Sequence, residues 1–309
     1  MKDLQNGLHA IQRLETAAKP YVLATIVQIS GSVYRGPGTR MLITRDEDAI
    51  GTISGGCLER DVVENAQQVL TSGEPCMLTY DSTSEDDILW GTGLGCSGIV
   101  RVWLEKLPAA AGPHYPHFLA ACVLEQQLGV LATVFEVEGP SPSQPGERLM
   151  LHQNREVEDH VLDGELREEI LRDAGRELDA LNTAHATAAR GKTRHYELSG
   201  GSAAVLLEPL LPPVPLVIFG AGHDALPVVR LAAELGWQTT VVDHRPAFAR
   251  SERLPAAHAV LQARPQEAFE SLRLDGRSAA LVMTHNYLQD LEILKYLFAT
   301  PVQYLGILG

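Results

Sequence analysis

Residues 51–61, GTISGGCLERD, bring one cysteine, Cys57, out of a serine-glycine-glycine turn and into the start of a helical pattern. A thiol placed there has two readings. Free cysteine is among the most often buried residue types, so it can act as a small hydrophobe at a tight turn. At a helix N-terminus the dipole favours thiolate, which is a nucleophile and a soft metal ligand. Gly55 and Gly56 let a ligand pass close to the backbone, and Ser54 is a residue type that caps helices. Cys96 also follows glycines, in WGTGLGCSGIV (90–100). A third stretch, GSVYRGPGTRMLI (31–43), sets Arg35 and Arg40 about a Pro-Gly turn, a placement suited to holding an anion between two guanidiniums. Asp81, Glu85, Asp86 and Asp87 precede Cys96 without a histidine and read as a solvated acidic loop.

A different chemistry is written into LVIFGAGHDAL (216–226). Gly220 and Gly222 follow a strand-like run and open a helix, with Ala225 in the third small-residue place. The first glycine permits the turn, the second admits a pyrophosphate, and the helix N-terminus supplies N–H groups and positive dipole. Asp243, at the end of the next strand, has the spacing of an acid that bonds ribose hydroxyls. The expected ligand is an adenosine-type nucleotide, NAD rather than NADP, although Arg245 can stack on adenine or meet a phosphate. His223, His285 and Asp290 are expected near the carboxyl ends of the strands, as acid/base groups or ligand contacts. The blander alternative is that His223 caps its helix and His285 bonds a turn.

These residues need a frame. After EPLLPPVP (208–215), strands at 216–219, 237–243, 258–262, 279–284 and 302–308 alternate with helices at 223–235, 265–272 and 288–299. That is a doubly wound parallel sheet. Earlier, YVLATIVQI (21–29) and GVLATVFEV (129–137) have the β-branched richness of buried strands. GIVRVWLE (98–105) alternates as a half-buried strand, with Val100, Val102 and Leu104 inward. Helical periodicity runs through 57–71 and 163–182, and EGPSPSQPGE (138–147) is a turn-rich excursion. The expectation is α/β overall: an N-terminal α+β domain over 1–207, a Pro-rich linker at 208–215, and a Rossmann-like domain over 216–309. No internal repeat is found.

Composition narrows the partners. A net charge of −14 opposes binding to DNA or RNA. No run of about 18 apolar residues crosses a membrane, and the start MKDLQNGLHAIQRLE lacks a secretion signal, so a cytoplasmic location is expected. Cys57, Cys76, Cys96 and Cys122 contain no CxxC pair, against structural zinc and disulfides.

With these motifs in view, the chain resembles the XdhC/CoxI family of maturation factors for molybdenum hydroxylases. GTISGGCLE carries the resemblance most specifically, supported by RGPGTRML, GLGCSG, VIFGAGH, VVDHRPAFA and MTHNYLQDLEIL. The family pairs a glycine-cysteine domain with a Rossmann domain. The resemblance implies binding of molybdenum cofactor (molybdopterin or its dinucleotide form), help with its sulfuration beside a cofactor sulfurase, and delivery to xanthine or carbon monoxide dehydrogenase-type enzymes. It assigns Cys57 and Cys96 to molybdenum or its sulfur, matches Ser32, Arg35, Gly38 and Arg40 to a first loop, and matches Glu59 within the cysteine motif. It also implies a homodimer and a continuation past Gly309. Tyr34, Ser97 and Asp224 depart from the family pattern. An NAD-dependent oxidoreductase using His285 or His223, or a nucleotide-sensing module without chemistry, are the alternatives.

Overall fold

The computed structural model describes residues 2–46, 48–83, 97–107, 115–183 and 189–308. They form two compact units, one ending at Pro212 and the other starting at Pro213.

The larger unit contains one arrangement twice. Helix α1 (Lys2–Thr16) leads to β1 (Tyr21–Gly31), β2 (Arg40–Ile43), β3 (Ala49–Gly51), α2 (Glu59–Ser72), β4 (Cys76–Asp81) and β5 (Gly98–Leu107). Helix α3 (Tyr115–Leu124) leads to β6 (Gly129–Glu138), β7 (Arg148–His152), β8 (Val157–Asp159), α4 (Gly164–Thr183), β9 (Lys192–Leu198) and β10 (Gly201–Leu210). Each series makes an antiparallel sheet, ordered β3-β2-β1-β5-β4 and β8-β7-β6-β10-β9. The two orders are the same. The match extends to residues: Val22-Leu23-Ala24-Thr25 in β1 answers to Val130-Leu131-Ala132-Thr133 in β6. Left-handed Gly31 and Gly38 answer to left-handed Gly139 and Gly146. The repeat that the sequence reading did not find is therefore present, with drifted side chains on a retained backbone.

Helix α2 packs Val62, Ala66, Val69 and Leu70 on the first sheet against Val22, Ile26 and Leu104. The opposite face of that sheet meets the second sheet through Val27, Trp103, Phe135, Ala204 and Leu206. Strand β5 is thus covered on both faces, with Trp103 6% and Glu105 8% exposed, and not half-buried as its alternation suggests. A sheet distant in sequence covers the second face, which no local pattern reports. The expected linker is also shorter. Glu208–Leu210 pair with Gly129–Leu131 as the end of β10, and Pro215 opens the next strand. Pro209 is tolerated because the β9 pairing stops at Leu207.

Two buried ion pairs cross between the halves. Arg40 of β2 bonds Glu208 of β10 at 2.5 Å, and Arg148 of β7 bonds Glu105 of β5. Each arginine uses a carboxylate from the other half. Both guanidiniums lie over the ring of buried Tyr115, at 5.9 and 4.8 Å from its centroid. Burial alone opposes charge on Arg40, but Glu208 and Tyr115 outweigh it and push its pKa above the usual arginine value. Gly38 is required twice, by its left-handed φ of 88° and because a Cβ there would collide with Glu208 Oε1.

The smaller unit runs β11 (Pro215–Phe219), α5 (Ala225–Glu234), β12 (Gln238–Asp243), β13 (Ala259–Gln262), α6 (Pro265–Ser271), β14 (Ala279–Val282), α7 (Tyr287–Leu297) and β15 (Tyr304–Ile307). All its strand pairs are parallel, in the order β13-β12-β11-β14-β15. Helix α5 covers one face, on Leu216, Ile218 and Val241, while α6 and α7 cover the other, on Val217, Phe219 and Val242. This is the doubly wound sheet the sequence alternation implies, with its order reversing between β11 and β14.

Removing one member of a buried pair strands the other charge. Arg148→Met is expected to destabilise the protein by about 3–5 kcal/mol in urea unfolding, and adding Glu105→Leu to restore most of that loss.

Candidate functional site

Strand direction brings the first two glycine-rich stretches, and the described ends of the loop that carries the third, to one end of the sheet. In the first sheet β1, β3 and β4 run the same way, because each is antiparallel to β2 or β5 between them. The loops after them, 32–39, 52–58 and 82–97, therefore leave one end of the sheet. Ser32 N–H donates to Ser97 O at 2.9 Å, joining the first and third. Tyr80 Oη donates to Asp61 Oδ2 at 2.5 Å, drawing the end of β4 to the first turn of α2. Cys96, Glu85, Asp86 and Asp87 lie outside the described residues; Asp81 is described and holds Thr83.

The Cys57 turn is wired from within. Ser54 Oγ accepts the N–H groups of Gly56, Cys57 and Leu58, each at 3.1 Å. The Glu59 carboxylate in turn accepts Ser54 N–H at 2.8 Å and the hydroxyls of Ser54 and Thr52. Because those three N–H groups converge on one hydroxyl, regular helix begins at Glu59, two residues later than the periodicity suggests. Gly56 has a φ of 109°, and a Cβ on Gly55 or Gly56 would meet nothing within 4 Å. The space above both glycines is open, so internal packing does not explain them. Among the described cysteines only Cys57 is exposed. Cys122 sits in the core under α3, where burial pushes its thiol up to about 12, and burial also raises Cys76.

Arg35 and Arg40 do not clamp one anion. Arg35 bonds Asp3 in a partly exposed pair at 2.8 Å, and Arg40 is buried on Glu208.

The second half supplies an internal comparison. At the repeat offset of 108 residues (130 − 22), buried Ile53 answers to Val161, Leu58 to Leu166, Val62 to Ile170 and Ala66 to Ala174. The two connections are equal in length, five steps from Ile53 to Leu58 (58 − 53) and five from Val161 to Leu166 (166 − 161), but helix begins at Gly164 in the second half and only at Glu59, the counterpart of Arg167, in the first. Residues 82–97 join β4 to β5, whereas only 199–200 join β9 to β10. Only the first half therefore leaves the residues around Cys57 out of its helix, and only the first half has a long loop, carrying the second glycine-cysteine motif, between these strands.

In the smaller unit a cavity of about 280 Å³ opens at the carboxyl ends of β11, β12 and β14. Gly220, with φ 109°, closes its floor; its N–H donates to Val242 O, and a Cβ would strike Met283 O. Asp243 is placed differently from the ribose-binding acid its spacing suggests. Its Oδ2 accepts Ala221 N–H and Arg245 Nη2, and its Oδ1 accepts Arg245 N–H and Nε, so the carboxylate is saturated internally. Burial raises its pKa, but these bonds outweigh burial and hold it below the usual aspartate range. Arg245, held as a fork, lies over Phe248 at 4.0 Å. His223, His285 and Asp290 do not converge either. His285 Nε2 pairs with Asp224 Oδ2 at 2.7 Å, Asp290 takes the Thr284 hydroxyl, and His223 is exposed. Among the described residues no group of three or more His, Cys, Asp or Glu is arranged to hold a metal, and no helix is long and apolar enough to cross a membrane.

Comparisons with known proteins agree with this division. A family model described as the XdhC and CoxI family matches residues 14–81 and 122–196, and one described as the XdhC Rossmann domain matches 216–309. The chain is 31% identical over 288 residues to a Bacillus subtilis protein named as a probable xanthine dehydrogenase subunit, covering 93% of this chain and 79% of that one. Over 95 residues it is 33% identical to the molybdenum cofactor insertion chaperone PaoD of Escherichia coli, 30% of this chain and 29% of that one. A crystal structure named as a xanthine dehydrogenase from Bacillus halodurans superposes with a TM-score of 0.74 at 26% identity, covering 100% of this chain and 82% of that one.

The wiring of the Cys57 turn has a pH signature. Partial burial pushes the Glu59 carboxyl up, but the bonds from Ser54 and Thr52 prevail and bring it from 4.5 to about 2. A depressed carboxyl stabilises the fold above its unfolded value and loses that contribution as pH falls through the folded one. Wild type is therefore expected to lose stability between about pH 4.5 and 2 more steeply than Glu59→Gln, measured by urea unfolding across that range.

Proposed function

The chain belongs to the XdhC and CoxI family, and from that membership we propose that it binds molybdenum cofactor, assists its sulfuration, and hands it to a xanthine dehydrogenase-like molybdenum hydroxylase. A maturation role is what the family and the insertion-chaperone relative support. One observation carries the assignment to residues: where the second copy of the fold is already helical, at Glu165, the first holds Cys57 outside its helix in a turn, as an exposed thiol.

The chemistry follows from the turn. Ser54 and Glu59 consume the local N–H and hydroxyl groups, so the turn holds its shape with no ligand present. The open side of Gly55 and Gly56 gives a flat cofactor room against the backbone, and Cys57 Sγ offers soft sulfur to molybdenum or its sulfur ligand. Arg35 is the cation able to meet the cofactor phosphate, because an exposed pair such as Arg35–Asp3 contributes little and exchanges readily. Arg40 is not free to do so. Cys96, in the sequence before Ser97, is the second thiol of this reading. The partners are the recipient hydroxylase, of xanthine or carbon monoxide dehydrogenase type, and a cofactor sulfurase, and the assembly is a homodimer. Hydride chemistry on NAD finds no support in the comparisons.

The test is anaerobic binding of molybdopterin, followed by activation of a recipient apoenzyme. Cys57→Ala is expected to lower affinity about tenfold or more while leaving thermal unfolding within a few degrees of wild type. Unchanged affinity in Cys57→Ala would sink the thiol role.

A further inference from the structure

The N-terminus of α5 is where a doubly wound sheet receives phosphate, through free N–H groups and the positive end of the dipole. In this chain a carboxylate already lies there. Asp224 immediately precedes α5, and its Oδ1 folds back over the glycine turn to 2.5 Å from where a Cβ of Gly222 would be. Its Oδ2 is held by His285 Nε2 at 2.7 Å. His285 follows β14, on the far side of the point where the strand order reverses, so the pair spans the mouth of the crevice. The His285 backbone is left-handed, with φ 55°, a conformation rare for a residue with a side chain and kept only where its surroundings impose it. Among the described residues lining the cavity, no free lysine or arginine compensates. Arg245, the arginine in that lining, is forked onto Asp243, so that end already carries its own counter-charge.

The remaining lining suits a small ring compound. Phe219, Val242, Ala263, Pro265 and Ile293 give apolar walls, and Thr284 and Gln289 give hydrogen-bonding groups. The volume of about 280 Å³ lies just below the usual span of ligand sites, about 300–1,000 Å³, and accommodates one ring system with a sugar, not two nucleotides. We propose that this cavity takes an uncharged, nucleoside-sized ring compound, and that Asp224, tethered by His285, keeps phosphate off the glycine turn. The glycine fingerprint thus shapes a cavity without making it a dinucleotide site.

The full-length protein in EDTA-containing buffer is titrated with adenosine, cytidine, ADP and NAD by calorimetry, with thermal shift as a second readout. Wild type is expected to bind at least one nucleoside saturably, and ADP and NAD at least about tenfold more weakly. Asp224→Asn and Asp224→Ala should each raise ADP affinity about tenfold or more while moving nucleoside affinity less than about threefold. Should the alanine variant fold poorly, the near-isosteric asparagine still removes the charge. Three results would overturn the proposal: ADP or NAD binding wild type as tightly as a nucleoside, no nucleoside binding at all, or no gain for ADP in either variant. The outcome is separate from the thiol reading, since Cys57→Ala should leave all four affinities unchanged.

Discussion

Two guanidinium–carboxylate pairs, Arg40 with Glu208 and Arg148 with Glu105, are buried between the two sheets of the larger unit and exchanged between its halves. A charge in that position must find its partner, because an unpaired buried ion costs several kcal/mol. The pairing therefore rejects any slip of one sheet over the other. It also reaches into the loops. Arg40 and Arg148 each follow a Pro-Gly turn whose left-handed glycine carbonyl the same arginine bonds. Fixing the guanidinium fixes the turn, and with it the loop after β1 at the end of the sheet where the cysteine turn emerges.

Duplication separates scaffold from function inside one molecule. Everything the two halves share serves folding: the strand order, the left-handed glycines, the arginines and the helix laid on each sheet. What only the first half has is a helix start left unwound around Cys57 and the long loop before Ser97. A connection of the same length in the second half passes directly into helix from Gly164. The unwound residues are organised by Ser54 and Glu59 around an exposed sulfur.

The smaller unit has the topology of a nucleotide-binding sheet, with its polar groups turned to other tasks. Asp243 ties the glycine turn to Arg245, and Asp224 lies across the helix N-terminus. Topology gives a crevice at the strand ends; the carboxylates at its rim decide what enters.

Much of this was legible in the residues. The alternation after 215 specified a parallel doubly wound sheet, because buried strands and amphipathic helices leave different periods. The glycines at 55, 56, 220 and 222 marked turns: Gly56 and Gly220 take a left-handed backbone and a Cβ on Gly220 or Gly222 would strike a neighbour, whereas nothing crowds Gly55. The repeat was legible too, in Pro37-Gly38-Thr39-Arg40 and Pro145-Gly146-Glu147-Arg148, each fifteen residues after the Val of a Val-Leu-Ala-Thr run (37 − 22 and 145 − 130). Partners distant in sequence were not legible. Nothing local says that Arg40 meets Glu208 and not an anion, that Glu105 faces a second sheet, that Asp243 is spent on its own neighbour, or that His285 reaches Asp224. Residue type and spacing determined which groups were present and which turns held them. Tertiary structure alone decided which charges were already satisfied, because an ion pair depends on distance in space, and chain separation carries no record of it.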